Sequence, residues 1–446
     1  LFRRTPNSCL EYEMKHKGYC LSIFLVILFS IVGLSVAQEV DIKSLELEGR
    51  LAYVGDDFNI YTLDFATSNI NQLTVDGKRQ AKYEFPTWSN DGQLAYFCCS
   101  VRGFNSLHLS IYLSTDGLSE GVEYYNQAGE RHVYAYWSPE TCKDDNCADL
   151  AVLVQDPSQN QLKVELFNSQ NQRDGQRTLG NGTPFYYSWS SSGESLLLHR
   201  NNSLLEYYSV LSANITSAFD EPLGMFLSPS WSPVDNRILF ASLSDTDTSQ
   251  LTILNDETQQ ILADNLQGIV SSLWSPNGRY VAYRVANSDS ISSIYVVESE
   301  NGKVVARSNV SGVLSFFWSP DSSKIAYITL SNPPGTFDIN NQTLGNAAAL
   351  TQFNDGLAWN ILDVIDSSNT LLNSFIPTVS MQYLFGNFDQ FAQSHNLWSP
   401  DSRHIVYSER TSIDSRESLI TIIDVTDPNA IPLSVVGGEF AVWSYK

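Results

Sequence analysis

Positive charge is scarce in this sequence. Its 446 residues hold 26 Lys and Arg against 49 Asp and Glu, a net charge of −23. A surface of that sign repels phosphate backbones and argues against a nucleic-acid partner. Charged residues of both signs make up only 17%, while 43% are hydrophobic and 12% aromatic, which excludes wholesale disorder. The longest apolar run, Leu21 to Leu34, has 14 residues, short of the about 20 that a spanning helix needs. The sequence contains no HExxH motif, P-loop, dinucleotide fingerprint or Cys-x-x-Cys pair. His108, His132, His199, His395 and His404 sit at no metal-ligand spacing. No metal, no cofactor and no catalytic residue is therefore expected.

The apolar run has a different meaning. Lys15, His16 and Lys17 precede it and Ser35-Val36-Ala37 follow it, the layout of an export signal. Met14 is the expected start, with 1–13 an upstream or fragment extension, 14–37 the signal peptide and 38–446 the mature chain. No Cys follows the run, so a lipid anchor is not expected, and retention of the signal as an anchor is the alternative. The mature chain is expected to be secreted or periplasmic, monomeric, and without a stable membrane span. In an oxidising compartment Cys142 and Cys147 are disulfide candidates, and their short loop would contribute roughly 2 kcal/mol. Cys98 and Cys99 are adjacent, and form either a strained ring or two buried thiols.

Self-similarity decides the fold. Trp-Ser recurs at Trp88, Trp137, Trp189, Trp231, Trp274, Trp318, Trp398 and Trp443, at intervals of 49, 52, 42, 43, 44, 80 and 45 residues. Most lie near the roughly 40–45 residues of a four-stranded propeller blade. Trp318-Ser-Pro-Asp and Trp398-Ser-Pro-Asp read as turns, and Ile325-Ala326-Tyr327 and Ile405-Val406-Tyr407 as the strands that follow. Residues 51–75 read as strands two to four of a blade whose first strand is Glu439–Trp443, so the two ends close the ring. The spacing predicts an all-β, eight-bladed β-propeller of four-stranded antiparallel blades, with seven blades as the alternative.

These Trp-Ser-Pro-Asp turns with Ile-Ala-Tyr after them resemble the repeats of TolB-like propellers, relatives of the WD-type repeats. The likeness covers essentially the whole mature chain, but the α/β domain that precedes the propeller in that family has no counterpart here. It implies a bacterial source and an envelope location. The sequons at Asn181, Asn201, Asn214, Asn309 and Asn341 keep a eukaryotic secretory route open.

The interval of 80 residues after Trp318 holds two insertions, 331–356 and 376–395, after strands two and four of one blade. In an up-and-down blade both loops share one face, and loops this long are commonly functional. The second, together with Phe375 just before it, holds the candidate partner-binding residues Tyr383, Phe385, Phe388, Asp389, Gln390, Phe391 and His395. If the aromatics present a surface, alanine at Phe385 and Phe388 weakens capture without lowering the melting temperature; packing over the ring's end is the competing reading. Two acidic stretches, Asp144-Asp145-Asn146 and Asp245-Thr246-Asp247, have oxygen ligands for calcium without a full loop spacing. Gly117-Leu118-Ser119-Glu120-Gly121 matches a nucleophile elbow, but lies between strands and reads as a hairpin turn. The functional expectation is a non-catalytic scaffold for a protein or glycan partner at the cell envelope. The alternative is a propeller enzyme, glycoside-active or quinoprotein-like, although the docking pattern of the quinoprotein blades is missing.

Overall fold

Each repeat is built outward from its turn. The computed structural model describes residues 47–100, 108–143, 147–171, 176–244, 248–331 and 356–446, with Cys99 and Ser100 described by backbone alone. In the Trp318 turn the Ser319 hydroxyl donates to Asp321 Oδ1 at 2.6 Å and accepts from the Lys324 N–H at 2.9 Å. Ser275 repeats this with Asn277 and the Tyr280 N–H, at 2.8 and 2.9 Å. Ser399 repeats it with Asp401 and the His404 N–H. A short side chain that satisfies backbone groups across a reversal fixes the turn. The next strand then pairs back antiparallel, with Trp274 opposite Val281 and Trp318 opposite Ile325.

Eight such sheets form the ring, so eight blades are present and the seven-blade alternative falls. The loosely spaced repeats are full blades: Arg131–Trp137 and Phe185–Trp189 each open a sheet of four strands. In the first blade Phe440–Trp443 pairs with Arg50–Val54, placing Trp443 opposite Leu51 and Phe440 opposite Val54. The eighth has three strands, His404–Arg410, Ser418–Asp424 and Leu433–Gly437. Its first strand is reduced to a single bridge between Trp398 and Ile405.

The tryptophans tie neighbouring blades together. The indole N–H of Trp137 donates to the Thr87 carbonyl at 3.0 Å, and that of Trp189 to Tyr136 at 2.9 Å. Trp274 donates to Ser230, Trp318 to Leu273 and Trp398 to Phe317, at 3.1–3.3 Å. In all five the acceptor is the residue just before the Trp of the preceding blade. The repeated Trp thus acts as core and as a strut between blades.

Cys142 and Cys147 form the expected disulfide, with Cα atoms 5.6 Å apart. Cys98 is buried in its strand. The Gly117–Gly121 segment joins His108–Ser114 to Val122–Ala128 as a hairpin. The asparagines of four sequons, Asn181, Asn201, Asn214 and Asn309, are exposed. Residues 1–46 with the export signal, 332–355 of the 331–356 insertion, including Asn341, and both calcium candidates, 144–146 and 245–247, lie outside the described residues. Among the described residues no helix is long and apolar enough to cross a membrane.

Candidate functional site

The 376–395 insertion folds as two short helices, α1 (Val379–Gly386) and α2 (Phe388–Phe391). Thr378 caps α1, its hydroxyl accepting from the Met381 N–H at 3.3 Å. Met381, Leu384, Phe385, Phe388 and Phe391 recur at helical spacing, and all are buried in the main core cluster with residues of seven blades. The residues expected to form a binding patch therefore come together but face inward. Phe375, Phe385, Phe388, Asp389, Gln390, Phe391 and His395 are all buried; Tyr383 alone is partly open, at 37%. The expectation of an exposed aromatic surface is corrected: the apolar stripe is satisfied inside the ring, against the innermost strands.

Polar contacts anchor this plug to several blades. Tyr134 OH donates to the Gln390 carbonyl at 2.8 Å, and Thr87 Oγ1 to that of Ser394 at 2.9 Å. Ser188 Oγ donates to Gln393 Oε1 at 2.7 Å, and Gln393 Nε2 to Ser228 Oγ at 3.2 Å. The Arg284 guanidinium lies 5.0 Å from the Phe388 ring centroid. Burial lowers its pKa to about 10, so it remains charged at neutral pH. Burial raises the Asp389 carboxyl, with Arg284 opposing.

Burial also lowers the His395 pKa to about 3. Below the ordinary value of 6.5 the unfolded chain takes up a proton that folded His395 refuses until about pH 3. Its contribution is therefore present above pH 6.5 and lost as the pH falls through that window. Between pH 7.5 and 4.5 the wild type should lose about 2–3 kcal/mol more stability than His395→Gln. Urea unfolding at both pH values checks this; equal losses would show an imidazole as basic as in water.

A cavity of about 850 Å³ opens over the start of α1, on the face that carries the strand two-to-three and blade-to-blade loops. Four consecutive blades around the ring closure line it, together with Thr378, Val379 and Ser380 of the plug. Its cations are Arg79, Lys82, Arg131, Arg410 and Arg416, and its acids Glu84 and Glu439. Lys82 Nζ pairs with Glu439 Oε2 at 3.2 Å and sits 4.3 Å from the Phe58 ring centroid. Arg131 Nε donates to Gln155 Oε1 at 2.6 Å, and Arg410 Nη1 to the Ile413 carbonyl at 3.0 Å, while the buried Arg410 Nε has no hydrogen-bond partner. Burial pushes the Glu84 carboxyl up, with Lys82 opposing.

His132 and Phe85 form part of the wall. His132 is 8% exposed and stacks on Phe97 with centroids 3.9 Å apart, and neither ring nitrogen has a hydrogen-bond partner. Burial first, and His395 second, hold it well below its ordinary pKa, so it is neutral. Phe85 has φ of 46° within an irregular stretch of its strand, between Glu84 and Thr87. A bulky residue in that region ahead of Pro86 is strained, and such outliers concentrate at functional sites.

A second cavity of about 430 Å³ lies on the opposite face, among the Trp-Ser-Pro turns. Its walls include Trp231, Trp274, Pro233 and Pro276, and Gln393, His395 and Asn396 of the plug's far end also line it. Among the described residues no three His, Cys, Asp or Glu side chains are grouped to hold a metal ion.

Sequence reasoning missed the cationic cavity because its residues come from four blades. One signal was available: Lys82 and Arg131 each lie six residues before their repeat Trp, the same register in successive blades.

No protein-family model matches the chain, and no curated protein does. Solved structures are similar at the level of the fold. Dihydro-heme d1 dehydrogenase NirN in complex with DHE is 13% identical, with a TM-score of 0.54 over 90% of this chain and 75% of that one. TolB from Acinetobacter baumannii is a distant likeness, 14% identical, with a TM-score of 0.36 over 82% of each chain. Dipeptidyl peptidase 4 from Porphyromonas gingivalis is 12% identical over 63% of this chain, with a TM-score of 0.42. This chain spans 49% of that peptidase's length. The likeness to the dehydrogenase is one of fold.

Proposed function

We propose that the chain is an exported, non-catalytic binding propeller of TolB-like kind, which holds a protein or glycan of the cell envelope. Its working face is the one bearing the cavity over α1. The observation that carries this reading is the cavity itself: about 850 Å³, within the range of ligand sites, and walled by four blades. The core of the ring is filled by the chain's own plug, which concentrates accessible polar chemistry at the mouths.

Val379 is 76% exposed and lines the cavity, so a bulky side chain there should block it. Wild type and Val379→Trp, both immobilised, would be offered a glycan array and a detergent-free envelope extract. A species retained by the wild type and lost by the variant supports the reading; identical retention by both rejects it.

A second reading has one specific observation behind it. Glu84 lines the cavity with its carboxyl pushed up by burial, the tuning that a general acid needs. Consumption of a glycoside by the wild type but not by Glu84→Gln would favour the enzyme.

A further inference from the structure

The cavity over α1 reverses the sign of the chain around it. Acidic residues outnumber basic ones nearly two to one in the sequence, yet five cations and two carboxylates line this one space. One carboxylate, Glu439, is already matched by Lys82 at 3.2 Å. Arg79 and Arg416 are exposed at the rim, and Arg131 is open as well. Like charges gathered in a concave site repel one another, and the arrangement becomes favourable when an anion enters.

The start of α1 points the same way. The first turn of α1 lines the cavity, and the N–H groups of Val379 and Ser380 have no acceptor within the helix. A helix start favours negative charge. Phe58, Phe85 and Tyr383 supply apolar faces between the cations.

We propose that this cavity is a binding site for a small oxyanion-bearing ligand, carrying carboxylate, phosphate or sulfate groups on an apolar or sugar-ring frame. The guanidinium groups of Arg79, Arg131, Arg410 and Arg416 take the oxyanions in forked pairs, as planar donors do best. The aromatic rings take the faces of the frame. This proposal rests on the reading of the loop face as the working face, and specifies what that face selects.

The experiment uses the whole chain and isothermal titration. Its probes are trigalacturonate with galactotriose as neutral counterpart, inorganic phosphate, inorganic sulfate, citrate and hexaglutamate. The expected result is binding of at least one small oxyanion probe, no binding of galactotriose, and affinity that falls as salt rises. The triple variant Arg79→Gln, Arg131→Gln and Arg416→Gln should lose at least about tenfold in affinity. Arg403→Gln, which touches a different carboxylate, Asp424, should bind as wild type does. The uronate, phosphate and sulfate arms identify the source of the oxyanion, and binding of hexaglutamate alone would reject a small ligand in favour of an acidic peptide. Equal binding of galactotriose, or unchanged affinity in the triple variant, overturns anion selectivity while leaving the cavity a binding site. No binding of any anionic probe at millimolar concentration overturns the inference, and the Val379→Trp comparison still decides the working face independently.

Discussion

A chain ending at Gly437 should lose its cooperative thermal transition altogether. The missing segment includes Phe440, Ala441, Val442 and Trp443, each at most 1% exposed. Burial of these side chains is worth on the order of 7–9 kcal/mol, a large share of the roughly 5–15 kcal/mol that holds a domain together. The backbone adds to the loss. Removing the segment strips Arg50–Val54 of its ladder partner and takes away the Ser444 N–H bond to the Arg50 carbonyl at 2.8 Å. An unpaired strand is then open to other chains, so aggregation should accompany the lost transition. Calorimetry and size-exclusion chromatography of the truncated and full chains check this. A truncated monomer with a sharp transition would show that the ring holds without its closing strand.

The second large effect lies at the centre. Phe388→Ala should cost about 3–5 kcal/mol, in the range of buried aromatic truncations. The side chain is 1% exposed, with the Phe316 ring centroid 4.8 Å away and the Arg284 guanidinium at 5.0 Å. A cavity there leaves a part-buried cation without its aromatic neighbour, which places the cost toward the upper end. Phe385→Ala should behave similarly, since Phe385 is equally buried against Trp359 and Phe375. Urea unfolding of the single variants measures both. Losses below about 1 kcal/mol would restore the view of these rings as a surface for a partner.

The architecture was legible because it is written eight times. Trp-Ser at a near-constant interval names the first strand, and the Asp or Asn two residues after the Ser names the turn. The same hydrogen bonds are found at Ser275, Ser319 and Ser399. The orientation of the plug was less accessible. The insertion reads as a loop in an all-β repeat, although Met381, Leu384, Phe385, Phe388 and Phe391 stand at helical spacing, and such a stripe tells only that one face wants cover. Here the ring supplies it: α2 packs against Phe185–Trp189, Ile269–Trp274 and Ser315–Trp318, strands far from it in sequence. The cationic cavity was harder still. Arg79 precedes one first strand, Arg131 opens the next, and Arg410 ends a second strand more than 270 residues away. Ring closure, not sequence proximity, makes neighbours of them.

The two ends of the helical insertion serve two different spaces. Thr378, Val379 and Ser380 belong to the wall of one cup, while Gln393, His395 and Asn396 belong to the wall of the other. Fewer than 20 residues, folded as two short helices that meet at Asn387, connect them. One segment thus walls both cups, so a substitution that unseats it should disturb both mouths together.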